Sequence, residues 1–129
     1  SLIEHGKTVR EDWVLDDRDS DRHNFHKFEL PEEMPTAFVC NADIIASWVI
    51  RELEQNGYRV PEDISIVGFD DFLYPGLCNV PMTTYAVNMT EMAETGGKLL
   101  ITKMTGGETS EGMHLIEGRF IERKSVRAI

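Results

Sequence analysis

Two adjacent carboxylates, Asp70 and Asp71, close the stretch PEDISIVGFDD that runs from Pro61 to Asp71. Ile64, Ile66 and Val67 make a short β-branched run, the composition of a strand buried on both faces, and Gly68 lets the chain turn where that strand runs out. In open parallel sheets, ligands bind beyond the carboxyl ends of the strands, so carboxylates delivered there can grip hydroxyl groups. The competing reading gives both residues turn or helix-capping work, for which Asp is well suited. A third reading is a carboxylate-based hydrolase. Neighbours along a strand point to opposite sides, so Asp70 and Asp71 could share a substrate only beyond the strand end.

Other reactive residue types form weaker patterns. Asp17, Asp19 and Asp21 alternate like the opening of an EF-hand loop, but Arg22 stands where that loop needs Gly and Phe28 where it needs Glu. His23 and His26 are spaced to share a helix face with Asp19, although a solvated charged segment is the simpler account. Cys40 falls at a strand end without a nucleophile elbow around it. Cys40 and Cys78 have neither CxxC nor zinc spacing, which favours two reduced thiols. No GxGxxG follows a strand and no GxxxxGK[ST] occurs, so the sequence implies no nucleotide cofactor, and no metal.

The elements that position these residues fit one domain's worth of chain, 129 residues at 41% hydrophobic composition, enough for a packed core. No apolar run approaches the ~18 residues of a membrane span, and no signal peptide opens the chain. It begins with Ser rather than Met, so the second absence weighs little on compartment. A net charge of −10 repels phosphate backbones, so this segment alone is not expected to bind nucleic acid.

Residues 3–10 read as a helix tail closed at Gly6, and Trp13–Leu15 as a short strand. A buried strand over Thr36–Cys40 follows, then a helix from Asp43 to about Asn56, stopped by Gly57. Ile45, Ala46, Val49, Ile50 and Leu53 form its apolar face; Ile44, Ser47, Trp48 and Arg51 lie opposite. Beyond the central strand come a loop over 72–81, a strand over 82–87 and a helix opened by Thr90. Met92, Leu99, Leu100 and Met104 give that helix a core side, and Gly106-Gly107 ends it. His114–Ile121 is the last extended segment. This order predicts an α/β fold, a Rossmann-like parallel sheet flanked by helices.

These residues also carry a family resemblance. PTAFVCNADIIASWVIRELEQNGYRVPEDISIVGFDD, followed by PMTTYAVNMTEMAETGGKLL and IEGRFIERKSV, resembles the C-terminal half of a lactose-repressor/galactose-repressor type regulator. The likeness runs in order through residues 35–126 and is most specific at VPEDISIVGFDD and the P-x-T-T strand. It implies a periplasmic-binding-protein-like lobe, incomplete in this chain, from a protein in which a sugar or related effector bound between two lobes shifts operator affinity. DNA is then read only by an N-terminal head absent from this chain. Residues 3–88 and 114–126 correspond mainly to the C-terminal lobe, and 89–113 to the crossover toward the other lobe, leaving apolar faces of that helix without a partner here.

The resemblance also implies site residues. Asp70 matches the carboxylate that meets effector hydroxyls, and Asp43 belongs to the Asn-Ala-Asp segment on the same side. The family's usual Asn position is Ala42, with Asn41 as a displaced substitute. At Asp19 the family often has a stacking aromatic, and near Val87 a Gln; neither is present. These departures count against a typical hexose and leave open a different ligand or a degenerate site; the expected effector is a small molecule, a sugar or nucleoside. The family dimerises through the helix bearing Ile44, Ser47, Trp48 and Arg51 and the loop bearing Leu73, Tyr74 and Leu77, which implies a cytoplasmic homodimer without enzymatic activity. A sugar-binding component of a transporter shares the fold and is the alternative.

Overall fold

The structure, a computed structural model, describes residues 3–6, 8, 10–18, 28–72, 78–109 and 112–128. Its centre is a four-stranded sheet in the order β1 (Ala37–Val39), β2 (Ser65–Asp70), β3 (Thr83–Ala86), β4 (Arg119–Ile121). β1, β2 and β3 run parallel, whereas β4 joins β3 antiparallel, with Tyr85 opposite Phe120. The parallel expectation therefore holds for three strands. The fourth enters from a connection long enough to reverse it, and is shorter than the extended segment read over 114–121.

Helix α1 (Asp43–Gln55) covers one face of the sheet. Ile45, Ala46, Val49, Ile50 and Leu53 are buried as their spacing predicts, packing with Phe38, Ile64 and Ile66. The helix ends in a Schellman motif: Tyr58 N–H reaches Leu53 O at 3.0 Å, Gly57 N–H reaches Glu54 O at 3.1 Å, and Gly57 takes φ 86°. Tyr58 is thereby turned back against the core.

Helix α2 (Met89–Met104) is built differently. Asn88, not Thr90, opens it. The Asn88 side chain accepts from Glu91 N–H at 3.2 Å and donates to the Glu91 carboxylate at 2.8 Å, a reciprocal pairing that Thr90 does not make. Gly106 and Gly107 close it with a second Schellman pair. No residue of α2 is buried, so the core side read for Met92, Leu99, Leu100 and Met104 has nothing to pack on among the described residues.

Two further expectations are corrected. Trp13–Leu15 is not a strand: Glu11–Trp13 forms a 3-10 turn, and the Trp13 indole donates to Glu33 O at 2.8 Å beneath the Arg10 guanidinium. Those local contacts hold the segment without a ladder. Nor is β2 buried on both faces. Ile66 and Gly68 are covered, but Phe69 on the other face is 43% exposed and stacks on Tyr85 at 5.8 Å, with Phe120 exposed beyond it.

Candidate functional site

The three parallel strands deliver their carboxyl ends to one edge of the sheet, and the segments leaving them interlock there. Asp43, in the first turn of α1, is buried. Its Oδ1 accepts from the Thr84 hydroxyl at 2.7 Å and its Oδ2 from Asp71 N–H at 3.1 Å. Thr84 lies on β3 and Asp71 just past β2, so one carboxylate ties the start of α1 to β3 and to the segment leaving β2. Gly68 makes this approach possible, since a Cβ there would collide with Asp43 Oδ1. Burial raises the Asp43 pKa; the Thr84 hydrogen bond opposes the shift, and the nearby charges of Asp70 and Asp71 reinforce it.

Asp70 and Asp71 both adopt positive φ, 101° and 56°. Such conformations cost a non-glycine residue roughly 1–2 kcal/mol each, least for Asp and Asn. Local bonds maintain them. Asp70 Oδ1 accepts from Phe72 N–H at 3.0 Å, folding the turn over itself. The Asp71 carboxylate pairs with the Arg123 guanidinium, largely shielded from water: Nη2 donates to Oδ2 at 3.1 Å, while Nη1 lies 2.8 Å from Oδ1 as an ion-pair contact that leaves Oδ1 without a hydrogen bond. Arg123 also donates to Met82 O at 2.9 Å, while its own N–H reaches the Thr83 hydroxyl at 2.9 Å. Two residues on, Ser125 accepts from Thr83 N–H at 2.7 Å and donates to Ile66 O at 2.6 Å.

Asp70 itself faces an open hollow of about 780 Å³, shared with Asp71, Glu91, Glu117 and Arg119. Carboxylates outnumber cations there, an environment that accepts hydrogen bonds from hydroxyl or amino groups and disfavours phosphate. Asn41 lines a separate hollow of about 310 Å³ beside Trp13, Asp17 and Phe28. The structure thus puts Asp70 and Asn41 on the same edge but in different depressions. Asp43 is turned inward, with both oxygens engaged, and is a scaffold residue rather than one presented to a ligand. The physical reason is Thr84, whose hydroxyl waits directly opposite. Asp19, Leu73, Tyr74 and Leu77 lie outside the described residues. So do His23 and His26.

On α1, Ile44 is 37% exposed and Arg51 is exposed, but Trp48 is half-buried against the core. Ser47, read as outward-facing, is buried, and its hydroxyl donates to Ile44 O at 2.7 Å. It sits at the margin of the apolar stripe, where a small side chain can satisfy itself on its own helix. Both cysteines are free. Burial raises the Cys40 thiol pKa to about 12, so Cys40 has none of the thiolate character a nucleophile needs. Sequence reasoning missed Thr84, Arg123 and Trp13. The doubled Thr in the P-x-T-T strand and the Arg two residues past the last strand were the available signals.

This arrangement, a mainly parallel sheet flanked by helices, is that of a periplasmic-binding-protein-like lobe. The chain belongs to the periplasmic binding protein-like domain family, whose model matches residues 3–126. It is 35% identical over 101 residues to the HTH-type transcriptional repressor CytR of Escherichia coli, covering 78% of this chain and 29% of that protein. Among solved structures it resembles a LacI-type transcription regulator from Bifidobacterium animalis subsp. lactis (TM-score 0.67, 26% identity, 73% of this chain and 34% of the other). It also resembles a LacI family regulator from Lactobacillus casei with bound sucrose (TM-score 0.61, 25% identity, 71% and 34%). The chain therefore spans about a third of the length of these relatives. No helix among the described residues is long and apolar enough to cross a membrane.

Proposed function

We propose that this chain is the effector-binding and dimerising portion of a bacterial LacI-type transcription regulator, with no chemistry of its own. Its effector is a neutral sugar or nucleoside held at the carboxyl edge of the sheet. Binding changes the angle between two lobes and so the affinity for operator DNA, which a separate head reads. Residues 3–88 and 114–126 make up mainly the C-terminal lobe, and 89–113 crosses toward the other. The absence of any buried residue on α2 supports that division. The protein works in the cytoplasm as a dimer. The named relatives are transcription regulators, which favours this reading over a transporter's binding component.

The observation that carries the proposal is Asp70, held at the strand end and opening onto a carboxylate-rich hollow. Removing a charged partner of an enclosed ligand hydroxyl costs on the order of 1.5–3 kcal/mol, roughly 10- to 150-fold in affinity. Calorimetric titration of sugars and nucleosides into the intact regulator and its Asp70→Ala variant tests it. A ligand bound equally well by both forms removes Asp70 from the site.

A further inference from the structure

We infer that Arg123 is a positioning residue for the effector site, acting through Asp71 to hold Asp70 in its left-handed conformation. The inference rests on the proposal that Asp70 meets the effector. Two consecutive non-glycine residues at positive φ, 101° and 56°, relax to the ordinary half of backbone space unless something holds them. Four tethers do so, the first being the bond from Val87 N–H to the Asp70 carbonyl at 3.3 Å, where β2 runs beside β3. The Phe72 N–H bond to Asp70 is internal to the turn and moves with it. The bond from Asp71 N–H to Asp43 fixes one backbone point. Among the described residues, only the Arg123–Asp71 pair anchors a side chain of the turn to a distant segment, the stretch after β4, across 52 residues of sequence.

Arg123 is itself suited to be an anchor. Its side chain is 14% exposed, Nη1 also donates to the carbonyl of Met82, and its backbone N–H bonds the Thr83 hydroxyl. Arg123 is thus fixed at the start of β3 by one bond from its guanidinium and one from its backbone, and the guanidinium also meets Asp71. The planar guanidinium touches both carboxylate oxygens, one through a hydrogen bond and one as an ion-pair contact, an arrangement a single ammonium does not reproduce. A merely structural Arg123 would stabilise the chain after β4 and leave the backbone of Asp70 as it is.

The test compares the full chain with Arg123→Gln, Arg123→Lys and Asp71→Asn, using Arg59→Gln, which breaks only an exposed pair with Asp63, as control. Backbone Cα and Cβ chemical shifts of residues 70 and 71 report the left-handed conformation. Thermal melting reports stability. Calorimetry in the intact regulator with sucrose, cellobiose and uridine reports binding. Arg123→Gln and Asp71→Asn are expected to lose the left-handed signature while still melting cooperatively. Each is expected to weaken whichever probe the wild type binds by at least tenfold, with Arg123→Lys intermediate in both readouts. Should Arg123→Gln fail to fold, Asp71→Asn and Arg123→Lys read the same conformational shift. Persistence of the left-handed signature in every folded variant overturns the inference, whatever happens to stability. Failure of all three probes to bind the wild type counts against the effector proposal instead, and the shift comparison still decides the role of Arg123.

Discussion

At the scale of single residues, Asp43 is the most consequential side chain on the sheet edge, and its charge state carries a definite pH signature. Its pKa is raised in the folded protein, chiefly by burial. Between the unfolded and folded values the folded state therefore holds a proton that the unfolded state releases, and stability contributed by Asp43 falls as the pH rises through the folded value. It is fully present only below the usual carboxylate range. Asp43→Asn is expected to cost about 1–3 kcal/mol at neutral pH, because an amide cannot accept from both Thr84 and Asp71. Denaturation of both proteins from pH 7 to 4 is expected to show the gap widening as the pH falls; a narrowing gap contradicts the raised pKa. The exposed Asp63, lowered to about 2 by Arg59, loses its contribution in the opposite direction, but equally in both proteins. The role of Asp43 was only half legible in the sequence. Its place at a helix start follows from pattern, but the hydroxyl facing it comes from a strand 41 residues later.

Among the elements, α1 and α2 show where sequence patterns succeed. The apolar stripe of α1 has a sheet to pack on, and its periodicity forecasts which residues are buried. The stripe of α2 has the same form but no buried residue, in line with the expectation that its apolar faces lack a partner in this chain. The start of α2 was misplaced because Thr90 and Asn88 are both acceptable caps, and only the reciprocal Asn88–Glu91 bonding distinguishes them. Without tertiary support, α2 depends on its ends more than α1 does. Asn88→Ala is expected to destabilise it by about 1 kcal/mol, seen as faster amide exchange over residues 91–95 with little change in α1. Unchanged exchange there shows that something else holds the helix. Trp13–Leu15 failed for a related reason: β-type residues make a strand only where a neighbouring strand offers a ladder.

For the whole molecule, the proposed dimer is the largest claim. Ile44 and Arg51 are exposed on one side of α1, with Trp48 half-buried beside them, and Trp and Arg are typical interface anchors. Sedimentation of Trp48→Arg and Leu77→Asp in the intact regulator is expected to show dissociation at low micromolar concentration; two variants that remain dimeric place the interface elsewhere. The α/β layout itself was visible in the order of apolar runs, but the reversal of β4 was not, because nothing in RFI specifies direction. That last strand leads into Arg123 and Ser125, whose contacts reach back to Ile66, Met82, Thr83 and Asp71. During synthesis the ribosome has therefore finished the helix and all three parallel strands well before the residues that fasten them appear. Until Arg123 and Ser125 emerge, a nascent chain holds its sheet and α1 together without its last rivets, so the sheet edge matures only when translation has passed them.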